Sequence, residues 1–315
     1  MARRLLIAGR GKFAIDCLKY IQRLAPDCAL YVLAEIEPVA LGITLARFCE
    51  RSNIAYSQYR QLNTARNLKQ ASTFGADLGV SLNNFQIIKS PLLKSPREGF
   101  INFHNGPLPR YGGVNVCSWA IINGEKNYGV TWHFMDEGVD TGDIVAQRHF
   151  AIPAYSTALD LTMTCIDTGL EMLEQLAPLL AEGIIPRKQQ PDGRRSYFSM
   201  RDVPNDGRID FNWSSDRIER FVRGLSFQPM PNPFVYPQLR YAGSTFYVSR
   251  VSPQTESNGL QSAPGTIVKM SEEGIRVTCG DGKIILCELM DTEFNAIPLG
   301  RFITEHRMAV GDIFH

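Results

Sequence analysis

Within Ile101–Gly113, INFHNGPLPRYGG, an asparagine and a histidine stand one residue apart on an apolar stretch. In an extended strand residues i and i+2 point to the same face. The amide of Asn102 and the imidazole of His104 therefore come out together, while Ile101 and Phe103 anchor the other side. Further on, MDEGVDTGDIV (Met135–Val145) puts acidic residues among Gly138 and Gly142, a loop suited to presenting a carboxylate to a site. An amide, an imidazole and a carboxylate are the parts of a hydrogen-bonding and acid–base site, with His104 as the partner for one of the acids. Each part also has a plainer reading. The strand pair can be strand-end residues satisfied by the turn, and the acidic loop a solvated turn.

The elements that must position these groups follow from periodicity. Arg4–Ala8, Ala29–Ala34, Leu78–Leu82 and Gly99–His104 read as strands, and Ile15–Leu24 and Leu41–Ser52 as helices. Alternating strands and helices predict a parallel sheet covered by helices. Tyr128–Met135 and Asp143–Ile152 are further strands added at one end of it. A long helix runs from Ser156 to about Glu182, opened by the capping pair Thr157 and Asp160 and closed by Gly183. The Pro-, Gly- and charge-rich stretch that follows reads as a linker. Beyond it come a helix, Ser215–Leu225, and short strands at Ser244–Val251, Gly265–Met270, Gly274–Cys279 and Lys283–Leu289, the spacing of a small antiparallel barrel. The predicted class is α/β: a Rossmann-like, mostly parallel sheet with helices on both faces, plus a small C-terminal β-barrel, OB-like domain. The domains are expected at 1–184 and 209–315, joined by a linker at 185–208.

Composition limits the partners. With 33 Lys and Arg against 32 Asp and Glu in 315 residues, the net charge of +1 offers no general attraction to nucleic acid or to an anionic membrane. The 7 cysteines are odd in number and never form C-x-x-C, which argues against a disulfide framework or a structural zinc and for a reducing cytoplasm. No metal site is expected. No apolar run approaches the ~18 residues of a membrane span, and the opening apolar run is broken by Gly9 and Arg10, too soon for a signal peptide.

IAGRGKFA places Gly9, Gly11 and Ala14 in a G-x-G-x-x-A turn between strand and helix, as a dinucleotide enzyme would. The acidic residue that should end the second strand comes late, at Glu35 or Glu37, and a tight turn needs glycine whatever it binds. Packing is the favoured reading; an NAD-dependent oxidoreductase is the alternative it keeps open.

NFHNGPLPRYGG, then WAIINGE (Trp119–Glu125) and GVTWHFMDEGVDTGDI (Gly129–Ile144), resembles the core of the folate-dependent formyltransferases. That family includes methionyl-tRNA formyltransferases, nucleotide-sugar N-formyltransferases and formylation domains of nonribosomal peptide assembly lines. Its N-x-H-x-x-L-L-P motif and later D-x-G fall here on Asn102, His104 and Asp140, the aspartate lying 36 residues after the histidine. The likeness continues through Gly207–Pro231 and Pro264–Leu286, which resemble the C-terminal domain of the longer members, so nearly the whole chain is covered.

The resemblance implies an N-formyltransferase of one-carbon metabolism with 10-formyltetrahydrofolate as co-substrate and no nicotinamide site. Attack of an amine on the formyl carbon builds negative charge on oxygen. The Asn102 amide and a protonated His104 would donate to it, while Asp140 would orient the ring, raise its pKa and help take the amine proton. Pro107 and Pro109 would stiffen the loop. Asn83, Phe85, Ile88, Asp136 and Gly138 are the implied cofactor contacts. His133, alone on its strand, reads as a structural residue that the family does not require.

Two departures bear on the acceptor. Transfer-RNA formyltransferases carry a basic inserted loop where this chain has EIEPVALGITLARF (Glu35–Phe48), and the usual R-G after the prolines is Gly112-Gly113. The motifs look closest to formylation enzymes of natural-product biosynthesis. The expected partner is thus a small-molecule amine: an amino acid or hydroxyornithine, free or carrier-tethered. A nucleotide-linked amino sugar, its base stacked on Tyr111, Trp119 or Trp132, is the second choice. Hydrolysis of the donor, a methionyl-tRNA acceptor and a catalytically silent binding module remain as alternatives.

Overall fold

The computed structural model describes residues 2–37, 42–191, 193–254 and 262–314. In chain order the first elements are β1 (Arg4–Gly9), α1 (Gly11–Leu24), β2 (Ala29–Glu35), α2 (Leu45–Arg51), β3 (Ala55–Tyr59), α3 (Ala65–Phe74), β4 (Leu78–Leu82), α4 (Ser90–Leu93), β5 (Phe100–His104) and β6 (Gly112–Gly113). Then come α5 (Val116–Ile122), β7 (Asn127–Phe134), β8 (Ile144–Ala151), α6 (Ala158–Glu182) and β9 (Tyr197–Phe198). The last are α7 (Ser215–Gly224), β10 (Gln238–Tyr241), β11 (Ser244–Gln254), β12 (Ile267–Ser271), β13 (Gly274–Cys279), β14 (Gly282–Met290), β15 (Ala296–Ile297) and α8 (Leu299–Glu305).

Two compact units result: one of residues 1–113, 128–150 and 163–197, the other of 114–127, 151–162 and 198–315. The first holds a seven-stranded sheet in the order β3-β2-β1-β4-β5-β7-β8. β1 to β5 are parallel, and β7 runs antiparallel to β5. The central strands β1 and β4 are buried almost throughout, as apolar strands covered on both faces must be. Gly79 on β4 has no room for a side chain because the Phe100 ring lies against it.

The glycine turn of the first strand is explained by packing. A Cβ at Gly9 would run into the Leu82 carbonyl of β4, and Gly11 takes a positive φ of 73°. The long helix starts as its sequence dictates: Asp160 N–H donates to Thr157 Oγ1 (3.1 Å) and Thr157 N–H to Asp160 Oδ2 (2.9 Å), a reciprocal capping box. The helix expected from Leu41 is α2, beginning at Leu45 behind the cap Thr44; Leu41 itself, like 38–40, lies outside the described residues.

The second unit is built on an antiparallel sheet ordered β10-β11-β14-β13-β12, with β15 beside β14. Its core contains Ile218, Phe221, Val248, Ile267, Leu286 and Phe302. Helix α7 comes close to α5 at Gly224, where a Cβ would stand 2.6 Å from the Ile122 side chain. Among the described residues no helix is long and apolar enough to cross a membrane.

Candidate active site

β5 delivers Asn102 and His104 on one face, as the strand spacing requires. The antiparallel register places Asn102 opposite His133 and His104 opposite Thr131. Residues directly opposite share a face, so β7 adds a second imidazole to the first. The aspartate loop then folds back until Asp140 stands between the two rings. Its Oδ2 lies 3.5 Å from His104 Nδ1, and its Oδ1 lies 3.3 Å from His133 Nε2. Asn102 Nδ2 is 3.3 Å from that same His133 Nε2. Asn102, His104 and Asp140 are thus brought together, and His133 with them. The signal for His133 was present in the sequence, since an antiparallel pairing of His104 with Thr131 forces it; read as a lone histidine on a strand, it carried none.

The backbone around this group is unusual in a consistent way. Tyr111 and Asp140 both adopt left-handed conformations, φ 59° and 55°, costing on the order of 1 kcal/mol or more each. The first aims the Tyr111 carbonyl at His104 Nε2, 2.6 Å away. The second turns the Asp140 carboxylate inward, where Gly113 N–H donates to Oδ2 at 2.7 Å. Gly106 leaves space for the ring: a Cβ there would stand 2.7 Å from His104 Nε2 and 2.5 Å from the Tyr111 oxygen. Thr131 Oγ1 fastens the loop by donating to the Gly106 carbonyl (2.7 Å) and accepting from Leu108 N–H (3.2 Å).

The stretch from 186 to 197 braces the site as well. Gln190 Nε2 donates to the carbonyls of Asp140 (2.9 Å) and Gly142 (2.8 Å). Arg195 donates to the Val139 carbonyl at 2.9 Å, and Ser196 Oγ accepts from Tyr111 N–H at 2.8 Å. Composition gave no hint of these contacts, because the residues act by folding back on a distant loop.

Protonation follows from the hydrogen bonds. A carbonyl only accepts, so His104 Nε2 carries a hydrogen toward Tyr111. Burial drives the His104 pKa below its ordinary 6.5, and the Asp140 charge opposes this without reversing it. Burial thus favours the neutral ring, while Asp140 pulls its pKa upward as expected of that carboxylate; in the neutral form the hydrogen is on Nε2 and Nδ1 faces Asp140. Burial alone would raise the Asp140 pKa, but His104, His133 and the Gly113 N–H hold it well below the usual carboxylate range. The result is a carboxylate held ionised beside a ring whose burial disfavours its charge.

The five implied cofactor residues fall in different surroundings. Asp136 Oδ1 accepts from Gly138 N–H (3.0 Å) and from Thr141 Oγ1, which shapes the loop leading to Asp140. Asn83, in a left-handed conformation after β4, donates to the Arg10 carbonyl (3.4 Å), and the exposed Phe85 ring lies 4.2 Å beneath the Arg10 guanidinium. Ile88 is 3% exposed in the core. An open cleft of about 470 Å³ is lined by Leu93, Lys94, Arg97, Met135, Asp136 and Glu137, within the size range of small-molecule pockets. Of the five only Asp136 lines it. Trp132 and Tyr111 are fully buried and offer no surface for stacking, and Trp119 has one face on Phe198 at 4.7 Å. Among the described residues no group of three or more His, Cys, Asp or Glu could hold a metal ion.

A Rossmann-like sheet on which an amide, an imidazole and a carboxylate meet beside a braced loop has the parts of a hydrogen-bonding and acid–base site, and comparison with known proteins says which family carries it. The sequence matches Formyl transferase over residues 42–176 and Formyl transferase, C-terminal domain, over residues 203–307. It is 31% identical to a methionyl-tRNA formyltransferase of Citrifermentans bemidjiense over 98% of this chain and 96% of that protein. It is 29% identical to a methionyl-tRNA formyltransferase of Acetivibrio thermocellus, covering 98% and 99%. The fold is similar to that of an N-formyltransferase from Helicobacter canadensis, solved with folinic acid and dTDP-3-aminofucose: TM-score 0.70, 23% identity, 90% of this chain and 99% of that one. This chain belongs to the formyl transferase family and is a formyl-transferring enzyme.

Proposed function

We propose that the protein moves a formyl group from 10-formyltetrahydrofolate to the amine of a small molecule, namely an amino acid, hydroxyornithine or a carrier-tethered aminoacyl group. The observation that supports this most is the meeting of Asn102, His104 and Asp140 in one buried group. The donor supplies a carbonyl carbon open to attack. Asn102 has a second amide hydrogen free to hold the carbonyl oxygen as its charge grows, a contribution of about 3–4 kcal/mol for a fixed donor. Neutral His104, with bare Nδ1, is suited to take the proton the amine gives up, and Asp140 then stabilises the imidazolium. The formyl group passes directly, so no side chain has to carry it covalently. For the folate we take the cleft beside Asp136, which Met135 and Glu137 also line. Asn83 and Phe85 follow the end of β4, away from the strand start where Gly99 lines that cleft, so of the implied cofactor residues Asp136, with Gly138 two residues on, is the one proposed to hold the folate there. Seven free cysteines suit a reducing cytoplasm.

Charge supports a small acceptor over RNA. A net charge of +1 gives little phosphate-driven affinity for transfer RNA, although the curated relatives above are named for that substrate. A second reading, a nucleotide-linked amino sugar, is favoured by the full-length likeness to the Helicobacter enzyme solved with such a compound. The test is a screen of amino acids, hydroxyornithine, nucleotide-linked amino sugars and initiator transfer RNA with the formyl donor, read by mass gain of one formyl group. A formylated small amine supports the proposal. Product only on RNA, or formate with no formylated product, rejects it.

A further inference from the structure

The turn after β1 and the loop after β4 have no part in the chemistry above; the inference that follows rests on that reading of the site and deepens it. Gly9 pairs with Ala34 and Leu82, Glu35 with Tyr59, and Ser81 with Asn102, and Arg10 is still extended, φ −156° and ψ 166°. Carried one or two residues further, that register lines up Tyr59, Glu35, Arg10, Asn83 and His104 on one face, across the carboxyl ends of β3, β2, β1, β4 and β5. Open α/β sheets bind their ligands at this end. The contacts agree: Arg10 Nε lies 3.8 Å from Glu35 Oε2, and Asn83 donates to the Arg10 carbonyl at 3.4 Å. Arg10 and His104 stand two strand spacings apart, roughly 10 Å.

The Arg10 guanidinium is held in place but not satisfied. It rests on the Phe85 ring at 4.2 Å, its contact with Glu35 is longer than a hydrogen bond, and among the described residues it donates none. Phe85 is 63% exposed, kept there by its neighbour Gln86, which is tied to Leu62 N–H (2.9 Å), the Arg60 carbonyl (3.0 Å) and Glu35 Oε1 (2.9 Å). A second carboxylate, Glu37, accepts from Gly11 N–H at 3.3 Å. One guanidinium between two carboxylates would repel a simple anion, whereas a zwitterion finds a partner for each of its ends. We propose that this row binds the head group of a free amino acid. Arg10 takes the α-carboxylate on its guanidinium fork, Glu37 takes the α-ammonium, and the side chain runs past Asn83 to bring a terminal amine to His104. The acceptor is then a free amino acid formylated on its side chain, as hydroxyornithine would be. A carrier-tethered aminoacyl group has no carboxylate left for Arg10.

The test uses the full-length chain with hydroxyornithine, ornithine and lysine, the methyl ester of each, and N-hydroxyputrescine, which keeps the amine and lacks the carboxylate. The wild type should favour the free amino acid over its ester by on the order of 10–100-fold in KM, the worth of a hydrogen bond to a charged group. Fragmentation of the product should place the formyl group on the side-chain nitrogen. Arg10→Gln should raise KM for the free amino acid by a similar factor, with kcat, KM for the formyl donor and KM for the ester nearly unchanged, and Arg10→Lys should recover part of the loss. Equal use of acid and ester, or a formyl group on the α-nitrogen, would overturn the proposal. An Arg10→Gln effect on the formyl donor instead would assign the guanidinium to the folate's glutamyl carboxylate and overturn it too. Formylation confined to nucleotide-linked sugars or carrier-tethered groups would reject this site while formyl transfer itself still stands. Thermal melting checks the fold of each variant, and should Arg10→Gln fail to fold, the comparison of acid with ester in the wild type decides. Calorimetry needs no turnover: if the chain formylates nothing, binding of ornithine without binding of its methyl ester keeps the site and drops the function, and no difference between the two overturns the inference.

Discussion

Between its two histidines, Asp140 holds a charge that burial opposes, and acid should therefore reach the fold through this group. His104 titrates below 6.5 in the folded chain. As pH falls through 6.5 the unfolded chain takes up a proton the folded chain resists, so stability drops. The Asp140 pKa is depressed from 3.8, so its contribution is present above that pH and is lost as pH falls further. Both act in the same direction. Melting temperature should decline from pH 7 downward, and His104→Gln should flatten the part of the curve just below pH 6.5. An unchanged slope in that variant would mean the ring is not held neutral. At this scale the sequence was half legible. Strand spacing showed Asn102 and His104, and the acidic loop with a family likeness showed Asp140. The carbonyl of Tyr111 and the backbone N–H of Gly113 are invisible in any sequence, because every residue has them.

The elements were legible where their pattern was strong. The largely apolar Leu78–Leu82 and the alternating Gly274–Cys279 appear as strands with those bounds. β3, α3 and α5 went unread, since AYSQY and ARNLKQASTF mix polar residues into both faces and α5 is only seven residues long. Their place is set by the sheet they complete. Two substitutions test how the elements hold the site. Gly106→Ala pushes a methyl group between His104 and the Tyr111 carbonyl, and kcat should fall at least tenfold, about 1.4 kcal/mol in the barrier, with the chain still folded; an active variant would show the ring tolerates displacement. Gln190→Leu frees the Asp140 and Gly142 carbonyls. Its loss should appear in kcat more than in KM and be roughly tenfold, and equal effects on both would point to a wider collapse of the loop.

For the whole molecule, the two compact units and the near-zero charge matter most. A chain with 33 basic and 32 acidic residues should bind initiator transfer RNA weakly at moderate salt. Filter binding across a salt series should give little retention, and a steep salt-dependent affinity would move the acceptor toward RNA. The catalytic claim itself is most directly tested by one comparison: the rate of tetrahydrofolate release from 10-formyltetrahydrofolate in the presence of the amine pool, in the wild-type chain and in Asn102→Ala. The wild type should release it with one formylated amine formed per turnover, and the variant should be slower by about 10²–10³-fold. Equal rates in the two proteins would contradict the site.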